Sequence, residues 1–471
     1  MALTILLAAA LLGAAAWLWV CWCLFPVSVW NDVRLAPSLA LARGVSFYPG
    51  EHAGAVTTWI YGPLPILFWL PAALASTAAH ALEIAGAINI LGTVAAIAAT
   101  CAWWPAPAGI SIGVRERLLA AALAVAVWPF ASFQYLQADN LAIALGLLGN
   151  LLLVRQPTRT GRWSAALLAV AGIACKQTSV GIAAAQVVWL GAVFGPREAG
   201  RHIGHCVVWG LLLAGWMIAS FDVDGLKTNL FTVPGRLPWA VDPLGRIFDT
   251  APQLVIHIAI PGMVLWLARK WIWTRDSILF LPSLSWLLAL PSSAAAFMKF
   301  GGTLNSLQSL PYWLPAALLA GLGLLRAHRQ AVQALSVAAA TAILIYGVRF
   351  AQTRSLCFLP ATEHYRQATS LADALHGQIW FPWNPLVTIY SENRFYHVED
   401  GLCMRFLAGR PLTVAHARQH LPPRMCMIAS RREGPDWGIA LHFAPPDART
   451  DDFGLWTLHS WPPHSASPPR G

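Results

Sequence analysis

Residues 59–80 read WIYGPLPILFWLPAALASTAAH, and the way this stretch meets the bilayer decides the topology of the chain. The stretch is apolar and long enough to span, but Pro63 and Pro65 interrupt it, and Trp59 and Trp69 lie beside them. Proline breaks a helix, and tryptophan favours the boundary between membrane and water. The sequence therefore predicts an interfacial helix here that lies flat and does not cross the membrane.

This choice fixes the side on which the basic residues fall. If residues 59–80 do not span, five short loops share one face of the membrane: 105–117, 155–162, 196–205, 269–276 and 326–330. They contain Arg115, Arg117, Arg155, Arg159, Arg162, Arg197, Arg201, Arg269, Lys270, Arg275, Arg326 and Arg329. Cytoplasmic loops collect Lys and Arg. We therefore expect a multi-pass membrane protein, with the N-terminus in the cytoplasm and the C-terminal domain outside the cytoplasm.

The composition supports a membrane protein. Of the 471 residues, 57% are hydrophobic and only 11% are charged, whereas a soluble protein carries about 25% charged residues. This excludes disordered, fibrous and disulfide-stapled classes, and the net charge of +10 reflects topology rather than a nucleic-acid partner. The long apolar stretches predict about eleven transmembrane helices: 4–26, 84–104, 118–133, 139–154, 163–195 (two helices, broken near 176–179), 206–220, 251–268, 277–296, 308–325 and 331–350. For residues 4–26, a cleaved signal peptide remains an alternative to an anchor.

The chain divides by charge into two predicted domains. Residues 1–350 form the transmembrane domain, and residues 351–471 form a small α/β domain outside the cytoplasm that ends in a disordered tail. We predict strands at 386–390 and 425–429, which are short apolar runs bounded by Pro, Gly and charged residues. The scattered histidines show no metal spacing. The last three cysteines allow one disulfide with one thiol left over: Cys357, Cys403 and Cys426.

Polar residues far apart in the sequence map to the outer face under this topology. They are Asp32, Asp139, Lys176, Gln177, Lys299 and Asn305. Charges at a membrane boundary are costly unless they face a cavity or a partner, so each is a candidate site residue. Purely structural roles for these residues remain as alternatives. Asp139 suits a helix N-cap, Asp32 suits a solvated loop, and either lysine can extend to lipid headgroups.

These residues together resemble the GT-C superfamily of integral membrane glycosyltransferases, which includes protein O-mannosyltransferases and lipid A aminoarabinose transferases. Asp32 matches the acid that follows the first span in that family. Residues 61–65 resemble its proline-rich juxtamembrane helix, with glycine in place of the first proline. Residues 139–142, 176–178 and 299–305 match three further elements in order.

The resemblance implies transfer of a hexosyl or pentosyl group from a polyprenyl-phosphate carrier to a lipid, glycan or protein acceptor on the outer face, with inversion. Asp32 would act as general base, and Asp139 would be the second acid of the catalytic pair. The resemblance assigns donor phosphate to Lys176 and Lys299, and we include four further substrate-binding residues: Gln177, Asn305, Tyr61 and Arg34. No metal is required by this reading, although some relatives bind a divalent cation. The expected partners are the lipid-linked donor, the acceptor and membrane lipids.

Two alternatives remain. A glycan ligase that uses a pyrophosphate lipid is expected to rely on Arg and His in a long outer loop, and residues 221–250 offer Arg236 and Arg246 but no His. A lipid or solute transporter predicts internal repeats and charges near the bilayer midplane. The sequence shows no repeat, and its charges lie at the membrane faces.

Overall fold

The structure is a computed structural model, and it describes residues 2–462 apart from 51–53, 58, 107–110, 129–132, 268, 275–276, 303–305, 308, 326–361 and 433. The fold of the described part is mostly helical. The last predicted span, 331–350, together with Asn305 and Cys357, lies outside the described residues.

Long apolar helices dominate the first half of the chain. They and the shorter helices between them are α1 (Ala2–Cys23), α2 (Val29–Ala42), α3 (Leu64–Trp69), α4 (Ala78–Trp103), α5 (Val114–Val127), α6 (Ala138–Arg155), α7 (Arg159–Cys175), α8 (Val180–Phe194) and α9 (Pro196–Ser220). Helix α6 packs against α4 and α7, and α1 packs against α5. A 3-10 turn at Gln177–Ser179 separates α7 from α8, which confirms the break predicted near 176–179.

The chain continues through shorter helices to two more long ones. These are α10 (Val223–Lys227), α11 (Val233–Arg236), α12 (Pro243–Asp249), α13 (Ala251–Leu254), α14 (Ile260–Leu267), α15 (Arg269–Ile272), α16 (Phe280–Met298) and α17 (Ser309–Leu325), with π-helical turns at Thr228–Thr232 and Val255–Ala259. Among the described residues, six helices are long and apolar enough to cross a membrane: Thr4–Val27, Ala78–Trp103, Ala138–Arg155, Gln177–Phe194, Pro196–Ser220 and Phe280–Met298. The predicted polytopic membrane fold is confirmed.

The segment between α1 and α4, residues 24–77, is called the first outer loop after its predicted side, and it holds two helices rather than one. Within residues 59–77, ahead of α4, the helical part is Leu64–Leu74, which is α3 followed by a 3-10 turn. At 1.5 Å per residue this segment is about 16 Å long, too short for a hydrocarbon core of about 30 Å. Thr77 then caps α4 by accepting a hydrogen bond from the His80 backbone. Helix α2, which the hydropathy pattern does not predict, brings Asn31, Asp32 and Arg34 onto a regular scaffold.

The C-terminal segment is an α/β unit. Its helices are α18 (Glu363–Ala374), α19 (Pro385–Glu392), α20 (Glu399–Leu407) and α21 (Val414–Gln419), and its strands are β1 (Ile379–Trp380), β2 (Met427–Arg431), β3 (Arg449–Phe453) and β4 (Trp456–Ser460). The sheet order is β1-β2-β4-β3. Strand β1 runs parallel to β2, with Ile379 opposite Met427. The β2–β4 and β3–β4 pairs are antiparallel.

One of the two strand predictions is wrong. Residues 425–429 overlap β2, but residues 386–390 lie inside helix α19. Pro385 occupies the first turn of that helix, where its missing N–H costs nothing. The buried residues Leu386, Val387 and Ile389 fall on the side that packs against the first outer loop. Tertiary packing therefore overrides the β-branched composition of this run.

The C-terminal segment shares a hydrophobic core with the helical bundle. Trp59 and Trp69 of the first outer loop belong to the same buried cluster as Phe381, Leu386 and Trp456. Polar contacts reinforce this packing. The Val398 amide donates to the Val56 carbonyl over 3.0 Å, and the Arg405 guanidinium donates to the carbonyls of Pro49 and Gly50. The division into domains 1–350 and 351–471 stays a prediction.

Candidate active site

A cavity of about 930 Å³ opens between the first outer loop, the helix ends around it and the C-terminal segment. Pockets for small molecules measure about 300–1,000 Å³. Its walls are rich in aromatic side chains, among them Trp30, Trp59, Tyr61, Tyr135, Phe231, Phe300 and Trp437. The ionisable Lys, Arg and Asp residues on the described walls are Arg34, Lys176, Lys299 and Asp400. A cavity of this composition suits an amphiphilic anion.

Lys176 lies on the cavity wall at the break between α7 and α8. It is buried, and its ammonium group forms an ion pair with the carboxylate of Asp139, in the first turn of α6. The ammonium also lies 5.6 Å from the centre of the Tyr61 ring. An ammonium has three donor hydrogens, so the pair with Asp139 leaves donors for a ligand in the cavity.

The break brings the first outer loop against α7. The Gly62 amide donates to the Cys175 carbonyl over 3.3 Å, and a Cβ on Gly62 would lie 1.6 Å from the Ala174 carbonyl oxygen. No side chain fits there. Proline could not replace Gly62 here, because it has neither the free N–H nor the space.

Lys299 follows the C-terminal end of α16. Its ammonium donates to the carbonyls of Pro234 over 2.7 Å and of Gly235 over 3.2 Å, and it lines the cavity. The neighbouring Gly301 has a φ of 74°, a left-handed conformation that glycine adopts without strain. The loop therefore turns immediately after Lys299 and keeps the ammonium beside the cavity.

Comparison with known proteins supports the same architecture. No family model matches the sequence, and no curated protein matches it. Among solved structures, the crystal structure of ArnT from Cupriavidus metallidurans bound to undecaprenyl phosphate superposes with a TM-score of 0.58 at 10% sequence identity. The match covers 95% of this chain and 97% of that one.

The chain therefore has the same overall fold as that structure. The fold predicted from the resemblance is thus confirmed over nearly the full length.

Several of the sequence-predicted site residues meet in the cavity. Arg34, Tyr61, Lys176, Gln177 and Lys299 all line it. Their positions in the sequence are widely separated, and the fold brings them together. Asp139 lies behind the wall, paired with Lys176, and Asn305 lies outside the described residues.

Gln177 and Arg34 help to build the wall. The Gln177 amide donates to the carbonyls of Ile60, over 3.2 Å, and Leu230, over 3.4 Å. The Arg34 guanidinium donates to the Leu136 carbonyl over 3.2 Å. Both side chains therefore join two segments of the wall while they border the space inside it.

Asn31, which precedes Asp32 on α2, also has a definite place. Its amide donates to the carbonyl of Gln134 over 3.0 Å, and its oxygen accepts from the Leu136 amide over 2.7 Å. A carboxylate could not make the first of these contacts, since it has no donor. Asn31 thus fixes the segment that leads into α6.

Asp32 is not among the residues that line the cavity, and it is 0% exposed. Its carboxylate accepts hydrogen bonds from the Tyr365 hydroxyl (2.5 Å), the Asn384 amide (3.1 Å) and the Leu386 backbone (2.9 Å). Burial raises the pKa of Asp32 to about 7, and these donors offset part of that shift. The base role predicted for Asp32 stays a prediction, but in this geometry the carboxylate attaches the C-terminal segment to α2.

Sequence reasoning missed Asp400, the acid on the described cavity wall. It lies in the first turn of α20, which begins with the acidic pair Glu399-Asp400. That acidic pair at a helix start was the available signal, but it reads equally well as ordinary N-terminal charge. Burial raises the pKa of Asp400 to about 7, while Arg34 acts to lower it and Glu399 to raise it.

Neither arginine proposed for a ligase lines the cavity. Arg246 donates to the carbonyls of Phe297 over 2.6 Å and of Lys299 over 2.9 Å, so it caps the end of α16. Arg236 is exposed. Over the described residues, no group of three His, Cys, Asp or Glu side chains is arranged to hold a metal ion.

Proposed function

We propose that the protein is a membrane glycosyltransferase that moves a sugar from a polyprenyl-phosphate carrier to an acceptor on the outer face of the membrane. The observation that carries this proposal is the cavity lined by Lys176 and Lys299. Its cations and aromatic walls match the two parts of such a donor, a phosphate and an apolar chain. The neighbour of the same fold was crystallised with undecaprenyl phosphate.

Charge favours a phosphate as the bound group. The described walls carry Arg34, Lys176 and Lys299 against Asp400, so the cavity attracts anions. A lysine ammonium is a compact point charge that approaches phosphate oxygens from several directions. In transfer, the bond between the anomeric carbon and the phosphate oxygen breaks, and negative charge grows on that phosphate. Preorganised cations stabilise this charge without reorganising.

Inversion follows if the acceptor attacks opposite the phosphate. The acceptor hydroxyl then needs a carboxylate within reach, because partial proton removal typically contributes about 10²–10⁴-fold to the rate. The aromatic walls suit the apolar face of a sugar ring, and the donor tail needs an opening to the bilayer. We propose that no metal is required, since the cations of the chain itself face the cavity.

The proposed setting is the inner membrane of a bacterium. The N-terminus would lie in the cytoplasm and the C-terminal segment outside it, because this orientation gathers the basic loops on the cytoplasmic side. The cavity, which borders the C-terminal segment, would then open outward. The proposed acceptor, whether lipid, glycan or protein, would reach it from that side.

The phosphate site can be tested with undecaprenyl phosphate itself, titrated against purified protein. We predict that Lys176→Ala and Lys299→Ala each weaken binding about tenfold or more, because each removes a charge-assisted contact. The double variant should deviate from additivity if both ammonium groups hold one phosphate. Lys227→Ala is the matched control, since Lys227 is exposed and does not line the cavity. Binding of wild-type strength by both cavity variants would refute the phosphate site.

The transfer reaction can be tested in cells. Mass spectrometry of surface glycans and glycolipids should find one sugar missing from a strain that lacks the chain. Expression of the wild-type chain should restore it. An unchanged glycan and glycolipid profile would reject a glycosyltransferase.

A further inference from the structure

We propose that Asp400 takes the proton from the acceptor hydroxyl, so that the C-terminal segment supplies the catalytic base. This inference rests on the glycosyl transfer proposed above. The acceptor oxygen bonds to the anomeric carbon as its proton passes to the Asp400 carboxylate. The bond from that carbon to the phosphate oxygen breaks, and its electron pair leaves with the polyprenyl phosphate. Asp400 then returns the proton to water.

The first argument is access. Asp400 lines the cavity, although the residue is only 7% exposed. Among the described residues, no hydrogen bond to its carboxylate is found, so both oxygens are available to a hydroxyl. A buried carboxylate without a donor is costly. Its persistence here is explained by a ligand that supplies the donor.

The other acids near the cavity are engaged. Asp32 accepts three hydrogen bonds from the C-terminal segment, and Asp139 pairs with Lys176. Glu399, beside Asp400, accepts from the Trp383 indole over 2.5 Å and from the Ala440 backbone over 2.7 Å. Of these four acids, Asp400 is the one that lines the cavity, and no hydrogen bond to its carboxylate is found among the described residues.

The second argument is position. Helix α20 is held against the first outer loop by the backbone, because the Val398 amide donates to the Val56 carbonyl. A Cβ on Gly401 would lie 2.3 Å from the Thr57 carbonyl oxygen. Only glycine allows this approach, so the start of α20 sits close against the loop. Asp400 therefore has a fixed position relative to the cavity, as a base requires.

The third argument is electrostatic. Arg34, on α2, is the charged group that faces Asp400 from another element, and it lowers the pKa of Asp400. Glu399 on the same helix raises it, burial raises it further, and the result is about 7. Cys403, also on α20, interacts with Asp400 as well. A base works best with a pKa near the operating pH.

The test compares two isosteric variants, Asp400→Asn and Asp32→Asn, in the strain that lacks the chain. Restoration of the missing sugar is followed over time and normalised to the amount of membrane-inserted protein. We expect Asp400→Asn to slow restoration at least about a hundredfold. Asp400→Glu, which keeps a carboxylate, should restore part of the rate. Asp447→Asn, at an exposed acid of the same segment, should match the wild type.

A binding readout separates the base from a structural role. Asp400→Asn should bind undecaprenyl phosphate at least as tightly as the wild type, because it removes a negative charge beside the anion. Weaker binding together with a lower melting temperature would assign Asp400 to folding and overturn the proposal.

The pH profile gives a further check, once the missing sugar is known and its undecaprenyl-phosphate donor is in hand. Only ionised Asp400 accepts a proton, so wild-type turnover should fall as the pH drops below about 7. Arg34→Gln should move that fall to higher pH, since it removes the cation that lowers the pKa of Asp400. If the fall in turnover at low pH occurs at the same pH in Arg34→Gln as in the wild type, the assignment of Asp400 as the base is contradicted.

The two proposals fail differently. If the wild type restores the sugar and Asp400→Asn restores it equally well, Asp400 is not the base, and the transferase survives. Loss of turnover confined to Asp32→Asn would give the role to Asp32. If deletion of the chain changes no glycan, the transferase itself is rejected.

Discussion

Lys176 illustrates how one side chain serves two tasks at the residue scale. It pairs with buried Asp139 and also borders the cavity. A buried ion pair adds little net stability over an apolar pair, but removal of one partner leaves an uncompensated charge. Asp139 therefore holds the Lys176 ammonium in place and compensates its buried charge when no ligand is bound.

The pair can be tested by thermal unfolding. We predict that Asp139→Asn lowers the free energy of unfolding by about 3–5 kcal/mol, because Lys176 loses its partner. The double variant Asp139→Asn with Lys176→Met should be more stable than the sum of the single effects predicts. Equal and additive losses would show that the two residues act independently.

The control for the buried Lys176–Asp139 pair is the removal of an ion pair at the surface. Arg366 and Glu363 lie one turn apart on α18, and Arg366 is largely exposed. Exposed pairs contribute little. Arg366→Ala should therefore leave the unfolding midpoint within error of the wild type.

At the scale of elements, the turn before α3 depends on close backbone contact. Gly62 touches the last turn of α7, and the neighbouring residues Ile60 and Tyr61 form part of the cavity wall. A methyl group at Gly62 would push the first outer loop away from α7. The part of the cavity wall formed by Ile60 and Tyr61 would then move away from Lys176.

We predict that Gly62→Ala destabilises the protein by about 1–3 kcal/mol, the usual cost of overpacking. It should also weaken undecaprenyl phosphate binding, since it displaces the wall beside Lys176. The control is Gly215→Ala in α9, where a Cβ meets nothing within 4 Å, and it should change neither property. Normal stability and binding of Gly62→Ala would show that the loop adapts.

At the scale of the whole molecule, the first outer loop decides on which side the cavity opens. Leu64–Leu74 is too short to span, so α1 and α4 are connected on one side of the membrane. The C-terminal segment packs on that loop through α19 and α20. The cavity and this segment must therefore share a side.

Cysteine labelling tests the orientation. We expect Thr77→Cys, at the start of α4, to react with a membrane-impermeant maleimide in intact cells. Thr160→Cys, which is exposed in the first turn of α7, should react only after permeabilisation. Labelling is measured above the background of the eight native cysteines. The reverse pattern would invert the topology and move the cavity to the cytoplasm.

The sequence by itself determined the membrane class, the long apolar helices and the break at 176–179. These follow from local hydropathy, which needs no knowledge of packing. Only the tertiary structure decided that residues 386–390 form a helix, that Asp32 bonds to the C-terminal segment and that Asp400 reaches the cavity. Each depends on contacts between residues more than 300 positions apart. No local pattern encodes such contacts, because they arise when the C-terminal segment packs on the first outer loop.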